Sequence, residues 1–388
     1  MRIFYVISGL GYGGAEKQLV ELARHLSGRG HKILIYTLTA KVPRAADLAG
    51  TGVEVIVDKK RRKFDVGVLL RLRKAIDRWS PDVIHSFLFD GNFYARLAAL
   101  GRTVPVLNSE RSNGYRLSGL QRLAHRLTRG GACAVVANSH AGRAFAQRLF
   151  DLPADDVHVV WNGIRLADLE RQTVATTDYR IEFFGDPGVR LATLVGSIRP
   201  AKDYHLALEA AARLIVLDPA WRVLLIGDRT SSDSGAYKLE VLAHYARLGA
   251  PKKIRLCGMR ADAAAIARQS DVLYSTSVYE GFPNSVLEAM ALGVPVVSTE
   301  YSDIRRILPF PQQVVANRAA EDIARAIMWA HSKREAIAAK QKQWVRSHAT
   351  IERAAALLEG VYLKYIDKRA VVEQIACAAA PTRMEHER

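Results

Sequence analysis

Cysteine is scarce: Cys133, Cys257 and Cys377 are the only three in 388 residues, scattered and odd in number. That excludes a disulfide framework, points to a reducing compartment, and leaves no pair at metal-ligand spacing. Long apolar runs are missing too. A membrane-spanning helix needs about 18 or more consecutive apolar residues, and no stretch approaches that length. Zinc-finger spacing and the aromatic runs that stack on RNA bases are also absent, which weighs against a nucleic-acid module. The opening RIFYVI runs straight into a glycine turn, as a first β-strand does and a signal peptide does not. A cytoplasmic protein is expected.

Acidic residues vanish between Arg111 and Phe150, whereas Arg111, Arg116, Arg122, Arg126, Arg129, Arg143 and Arg148 all fall there. The formal net charge is +17, and residues 1–170 hold 26 Lys and Arg against 15 Asp and Glu. KKRRK, Lys59 to Lys63, adds to that excess. Such a balance suggests a polyanionic partner, nucleic acid or an anionic membrane. Inside the acid-free span, Leu120, Leu123 and Leu127 make an apolar stripe flanked by Arg122, Arg126 and Arg129. A membrane surface selects a basic amphipathic helix of this kind. A solvated face over an ordinary core stripe reads the same way.

With 388 residues and 49% hydrophobic composition, the chain suits two domains with a core each. Its densest chemistry is VYEGFPNSVLEAMALGVPVVS, Val278 to Ser298. Glu280 and Glu288 flank a turn (Gly281, Pro283, Asn284) and the start of an apolar helix, with Val286, Leu287, Met290 and Ala291 at helical spacing. Pro283 suits the first helical position, Gly293 ends the helix, and VPVVS reads as a buried strand. Free N–H groups from Phe282 to Ser285 would attract an anion, phosphate above all. Carboxylates repel phosphate, so the two glutamates would address hydroxyl-rich groups on either side of it. A phosphate between two polyols describes a sugar nucleotide. On spacing alone, a solvated glutamate and a capping glutamate beside an ordinary helix describe the stretch equally well.

The stretch resembles the E-x7-E signature of retaining glycosyltransferase family 4. The resemblance implies the α/β GT-B fold, two facing Rossmann-like domains with a C-terminal helix crossing back to the first. It also implies that Glu280 contacts the donor sugar, Glu288 holds the nucleotide ribose, and Gly281, Phe282, Pro283, Asn284 and Ser285 line the donor site. The first βα turn spells G-x-G-x-x-G at Gly9, Gly11 and Gly14, but the second strand ends in Thr37 and Thr39, not in the acid that a dinucleotide ribose needs. A nicotinamide cofactor is therefore not expected. GGAE, Gly13 to Glu16, resembles the family's glycine loop, where Gly13 and Gly14 would let the backbone approach the donor diphosphate or the acceptor. Gly196, Arg199 and Lys202 resemble its G-R-x-x-x-x-K-G segment, slightly displaced, with Asp203 in place of the usual glycine. There Arg199 and Lys202 would hold the diphosphate as it gains charge on leaving.

Other positions carry over less directly. Gly258, in IRLCGM, falls where relatives meet the nucleobase. His85 lies on a strand that often carries a site histidine, and Asp90 and Asn92 follow its end; these three are acceptor-side candidates. Where relatives end the next strand in a histidine, this chain has Asn108, Ser109, Glu110 and Arg111, and Glu110 and Arg111 are the candidates for its role. Where relatives carry Gly-Gly-x-x-Glu, it reads YSDIRRIL.

The expected layout is an N-terminal acceptor and membrane domain at 1–170, a mixed and unpatterned linker from about 166 to 189, and a donor domain at 185–350. A crossing helix at 351–369 and a loose tail at 370–388 complete it. The expected activity is retaining transfer from a nucleotide sugar, a UDP-sugar, to a lipid-linked glycan in cell-envelope polysaccharide or lipopolysaccharide synthesis, at the inner membrane face. No cofactor is expected, and no metal either, since no Asp-x-Asp occurs to bridge one to the diphosphate. The alternatives are a nucleotide-sugar 2-epimerase of the same fold and a basic nucleic-acid-binding protein.

Overall fold

The computed structural model describes residues 1–111, 117–174, 176–228, 235–249 and 252–378, with the backbone alone for Phe150 and residues 369–378. Arg116 and the tail from 379 lie outside the described residues.

The first sheet contains β1 (Arg2–Ile7), β2 (Lys32–Thr37), β3 (Glu54–Val57), β4 (Val83–Phe87), β5 (Val106–Glu110), β6 (Ala134–Ala137) and β7 (Val157–Val159), in the order β3-β2-β1-β4-β5-β6-β7. The second contains β8 (Arg190–Val195), β9 (Trp221–Ile226), β10 (Ile254–Leu256), β11 (Val272–Ser275), β12 (Val296–Thr299) and β13 (Val314–Val315), in the order β10-β9-β8-β11-β12-β13. Strand pairing is parallel in both; Ile3, for instance, stands opposite Ile33 on one side and Val83 on the other. A parallel sheet covered by helices on both faces needs continuous apolar strands. IFYVI in β1 meets that demand, with all five residues fully buried.

Helices α1 (Gly14–Gly28), α2 (Val66–Trp79), α3 (Leu88–Ala98), α4 (Gly119–Thr128) and α5 (His140–Phe150) belong to the first half. Between the sheets lie α6 (Leu166–Gln172) and α7 (Tyr179–Phe184). The stretch expected to be an unpatterned linker is therefore largely helical. Leu169 and Tyr179 bury there, and the Asp178 carboxylate caps α7 by accepting from Arg180 N–H at 2.8 Å. The second half carries α8 (Tyr204–Leu217), α9 (Gly235–Leu248), α10 (Ala263–Gln269), α11 (Asn284–Leu292), α12 (Ile304–Ile307), α13 (Ala320–Ser332) and α14 (Arg334–His348).

The last helix, α15 (Ile351–Ala378), returns to the first sheet. Ile351, Ala354, Ala355, Leu358, Tyr362 and Tyr365 bury in one core with Ile3, Tyr5 and Ile7 of β1. The helix continues past 369, where a loose tail was expected, and stays helical to Ala378. The return begins with a backbone stitch. Ile164 N–H donates to the Ala349 carbonyl at 2.9 Å and Ile351 N–H to the Ile164 carbonyl at 3.0 Å. Gly163 permits this approach, since a Cβ there would sit 2.6 Å from the Ile351 Cα.

Each sheet reverses its strand order once, between β1 and β4 in the first and between β8 and β11 in the second. Crevices at such switch points, beyond the carboxyl ends of the strands, are where open α/β sheets bind ligands. The loops after β1, β8 and β11 hold Gly9–Gly14, Gly196–Lys202 and Thr276–Pro283. Topology alone brings the motif residues to the two crevices.

Candidate active site

In the second domain the loops after β8 and β11 are laced together. Val278 N–H donates to the Ala201 carbonyl at 2.9 Å, and the Thr276 hydroxyl donates to the Lys202 and Asp203 carbonyls at 2.8 and 3.0 Å. The Lys202 ammonium pairs with Glu280, whose carboxylate also accepts from the Ser277 hydroxyl at 2.8 Å. Lys202 lies along Gly196, where a Cβ would come within 3.1 Å of its Cε. Asp203, the residue in place of a glycine, sits in the left-handed region at φ 45°. Asp tolerates that region better than most residues, and here its carboxylate caps α8 through Leu206 N–H at 3.2 Å and takes Arg318 at 2.7 Å. Arg318 also donates to the carbonyls of Thr276 and Ser277 at 2.9 and 2.8 Å. Arg199 differs from all of these. It is exposed, its side chain has no ion pair or hydrogen bond among the described residues, and with Ser197 it faces Gly9, Gly11, Gly13 and Glu16 across a cavity of 390 Å³.

The first domain meets the start of α11. Pro283 is the residue before that helix, not its first residue as the sequence reading had it, and Asn284 begins it. The Asn284 side chain accepts from Asn162 at 2.6 Å, and the Asn162 oxygen in turn accepts from the Arg111 guanidinium at 2.6 Å. Gly14 packs on the same side chain, with a built Cβ 3.0 Å from Asn284 Nδ2. Gly281 admits the Arg111 carbonyl, which would lie 2.0 Å from any Cβ. One turn into α11, Glu288 accepts from Lys17 of α1 at 2.5 Å. Each glutamate of the motif therefore has a lysine partner, Glu280 from its own domain and Glu288 from the opposite one. Such an arrangement, two carboxylates and several cations around a helix N-terminus, can hold a molecule that is anionic in its middle and hydroxylated at both ends.

The model of Glycosyltransferase Family 4 matches residues 12–168, and that of Glycosyl transferases group 1 matches residues 190–333. The chain belongs to glycosyltransferase family 4. It is 27% identical over 337 residues, 76% of its length and 79% of the relative's, to the D-inositol 3-phosphate glycosyltransferase of Frankia alni. It is 23% identical over 312 residues to the GalNAc-alpha-(1->4)-GalNAc-alpha-(1->3)-diNAcBac-PP-undecaprenol alpha-1,4-N-acetyl-D-galactosaminyltransferase of Campylobacter jejuni, covering 78% of this chain and 80% of that one. Among solved structures, HepE of Anabaena in complex with UDP-glucose superposes with a TM-score of 0.79 at 19% identity, over 93% of this chain and 99% of that one. That likeness establishes the shared GT-B fold.

In this family 4 glycosyltransferase several sequence candidates lie away from the cleft. His85 is buried, its ring nitrogens bonded to the Tyr362 hydroxyl at 2.6 Å and the Ser109 hydroxyl at 2.8 Å. Burial, and then the Arg111 charge, pushes its pKa down to about 3. It anchors α15 and does not face an acceptor. Asn92 is buried as well, bridging the Ser86 hydroxyl and the Ser109 carbonyl. Asp90 pairs with Lys60 beside an apolar groove, and Glu110 is buried at the end of β5. Of the two histidine substitutes, Arg111 is the one that reaches the domain contact; burial draws its pKa down to about 10, so it stays charged at neutral pH. Phe282 stacks on Trp161, centroids 6.0 Å apart, and packs between the domains rather than lining the donor site. Gly258, at φ 64°, has open space where a Cβ would stand, and its carbonyl accepts from Gly227 N–H at 2.8 Å.

Lys17, Asn162, Arg318 and Asp303 were not singled out from the sequence. Asp303 lies in the YSD that departs from the family loop. Its carboxylate takes the His140 and Ala141 N–H groups at 2.7 and 3.2 Å and the Trp161 indole at 3.0 Å, so one domain caps a helix of the other. Ser302 before it adopts φ 46° and donates to the Gly281 carbonyl at 2.8 Å. A small polar residue where relatives use glycine was the available signal.

Proposed function

We propose that this glycosyltransferase moves a sugar from a UDP-sugar to a lipid-linked glycan acceptor, with retention of anomeric configuration and without a divalent metal. The observation that carries this reading is the pairing of each motif glutamate with a lysine, Glu280 with Lys202 and Glu288 with Lys17, at the mouth of α11. Donor hydroxyls can replace both lysines: ribose at Glu288, the transferred sugar at Glu280. The freed Lys202 ammonium and the unpaired Arg199 then serve the diphosphate between them. As the glycosidic bond breaks, the leaving phosphate oxygen takes the electron pair, and these two cations stabilise it. The same oxygen accepts the proton of the acceptor hydroxyl, which attacks from the face the leaving group departs.

The UDP-glucose bound by HepE of Anabaena supports UDP as the nucleotide, and the undecaprenol-linked acceptor in the name of the Campylobacter relative supports a lipid-linked one. The setting would be cell-envelope polysaccharide or lipopolysaccharide synthesis on an anionic membrane face. Among the described residues no helix is long and apolar enough to cross a membrane, so attachment would be peripheral, through the basic first domain. The 2-epimerase alternative and the nucleic-acid reading draw no support from the relatives.

The test is incubation with a panel of UDP-sugars and undecaprenyl-diphosphate-linked saccharides, following UDP release and the product's anomeric configuration by NMR. UDP release that depends on acceptor, with retained configuration, is the expected result. Isomerised sugar nucleotide without UDP release would establish the epimerase instead. Activity that EDTA abolishes and Mg²⁺ or Mn²⁺ restores would overturn the metal-independent mechanism.

A further inference from the structure

The leucine stripe of α4 does not join a core. Leu120, Leu123 and Leu127 are 66%, 53% and 76% exposed, and His125 is the buried residue of the helix. Their neighbours across an open groove are Phe89, Phe93 and Leu97, one face of α3, with Phe64 at the side. Phe64 is half exposed, edge-on to Phe93 at 5.8 Å, and Phe93 stacks on Phe89 at 6.3 Å. The groove has a volume of about 550 Å³, within the ~300–1,000 Å³ of small-molecule sites. Here several large apolar side chains line one contiguous open slot, and contiguous exposed apolar patches mark binding surfaces.

Charge and position narrow the occupant. Asp90 is the acid in the groove wall, and Lys60 neutralises it. Lys63 stands exposed in the groove wall with no ion pair among the described residues, next in the chain to Arg61 and Arg62. An anionic head group on an apolar chain matches this distribution; an acidic peptide would leave the aromatic floor unused. Phe89 and Asp90 open α3 directly after β4, at the first sheet's switch point, so one end of the groove lies on the same sheet edge as the cleft. Leu88, the residue that makes this turn, holds φ 65°, a conformation a leucine rarely adopts.

We infer that the groove between α3 and α4 seats the hydrocarbon chain of the acceptor lipid, its phosphate held by the basic rim and its glycan directed into the cleft. The inference rests on the reading of the acceptor as lipid-linked and specifies which surface receives the chain. It differs from docking of the domain on a bilayer, because a single chain must enter a slot, whereas a bilayer needs only the exposed leucines.

The experiment uses the whole protein and farnesyl diphosphate as probe, titrated by calorimetry with UDP saturating so that the donor site is closed to the probe's diphosphate. Wild type is expected to bind farnesyl diphosphate, and Ala124→Trp, which fills the slot while keeping every leucine, is expected to weaken it at least tenfold. Sedimentation of that variant with phosphatidylglycerol vesicles should be unchanged. Leu127→Glu, at an exposed position that the fold tolerates, should also weaken the probe at least tenfold. No binding by wild type, or equal binding by Ala124→Trp, overturns the inference. So does loss of vesicle sedimentation, with no change in probe binding, on Leu120, Leu123 and Leu127→Ser: the face would then be a bilayer surface, or the seat of a partner's helix. Failure of UDP itself to bind in the control titration would instead strike the donor reading.

Discussion

The two walls of the cleft are built on different principles. On the second domain, the exposed Arg199 apart, charged side chains are matched and braced: Lys202 with Glu280, Asp203 with Arg318, and Arg318 on two backbone carbonyls. On the first domain the sheet edge offers a glycine turn, an apolar groove and unpaired cations. A site that must stabilise developing charge gains from dipoles and ions fixed beforehand. A site that must admit a large amphiphile gains from exposed surface. The difference bears on where the chemistry would reside: on the proposed reading, the second-domain wall is the donor's, preorganised for the transition state, and the first-domain wall the acceptor's, shaped for capture.

Truncating the donor wall tests this most severely. Lys202→Ala should lower kcat by about 10²–10³-fold, the loss typical of removing one donor aimed at a developing anion, with a smaller change in donor KM. Steady-state rates of UDP release give both constants. If KM alone rises, Lys202 binds ground and transition states alike, and the contrast between the walls loses its catalytic content. Glu288→Ala, with ribose as the proposed partner, should weaken UDP by about 1.5–3 kcal/mol, the worth of a hydrogen bond to a charged group. Unchanged UDP affinity in calorimetry, with the melting curve intact, removes the ribose from Glu288.

The wall proposed for the donor was also the one more legible in the sequence. Glu280, Gly281 and Glu288 lie within one turn and one helix, and Gly196 to Lys202 within another turn, so local order carries the chemistry. Pairings across the cleft have no such trace. Lys17 and Glu288 are 271 residues apart, Asn162 and Asn284 122, and His140 and Asp303 163. His85 shows why the first domain misled: strand alternation puts a side chain on one of two faces, and nothing local says which face α15 will cover. The leucine stripe of α4 was legible as a pattern, but whether it met a core or solvent depended on how α3 lay beside it.

The crossing helix gives a comparison within the first domain, between its buried network and its open face. Tyr362→Phe leaves the His85 Nδ1 without its partner and should cost about 1–3 kcal/mol of stability, as unsatisfied buried groups do, with little effect on farnesyl diphosphate binding. His85 is neutral when folded, because burial pushes its pKa to about 3. The unfolded chain takes up that proton at an ordinary value near ~6.5. Stability is therefore present above that value and is lost as the pH falls from there toward the folded pKa, by at most about 1.4 kcal/mol per pH unit for one histidine. Urea melts at pH 7.5, 6 and 5 should show the decline, and His85→Gln should flatten it even where it lowers stability overall.

The smallest effect decides how the walls are joined. Lys17 crosses the cleft to hold Glu288, with the two side chains 31% and 21% exposed. A partly exposed pair of this kind is worth about 0.2–1 kcal/mol after screening. If ribose must displace Lys17, the lysine competes with the donor, and Lys17→Met should tighten UDP binding by that amount, roughly 1.4- to fivefold at low salt. High salt, which screens the pair, should shrink the difference between wild type and variant. If Lys17 instead passes from Glu288 to the diphosphate when the donor enters, the same substitution weakens UDP, and the first domain contributes a fixed cation to the donor after all. The sign of one calorimetric difference separates the two. A tighter variant keeps the donor site wholly on the second domain; a weaker one makes Lys17 part of it and breaks the division between preorganised and open walls at the point where α1 meets α11.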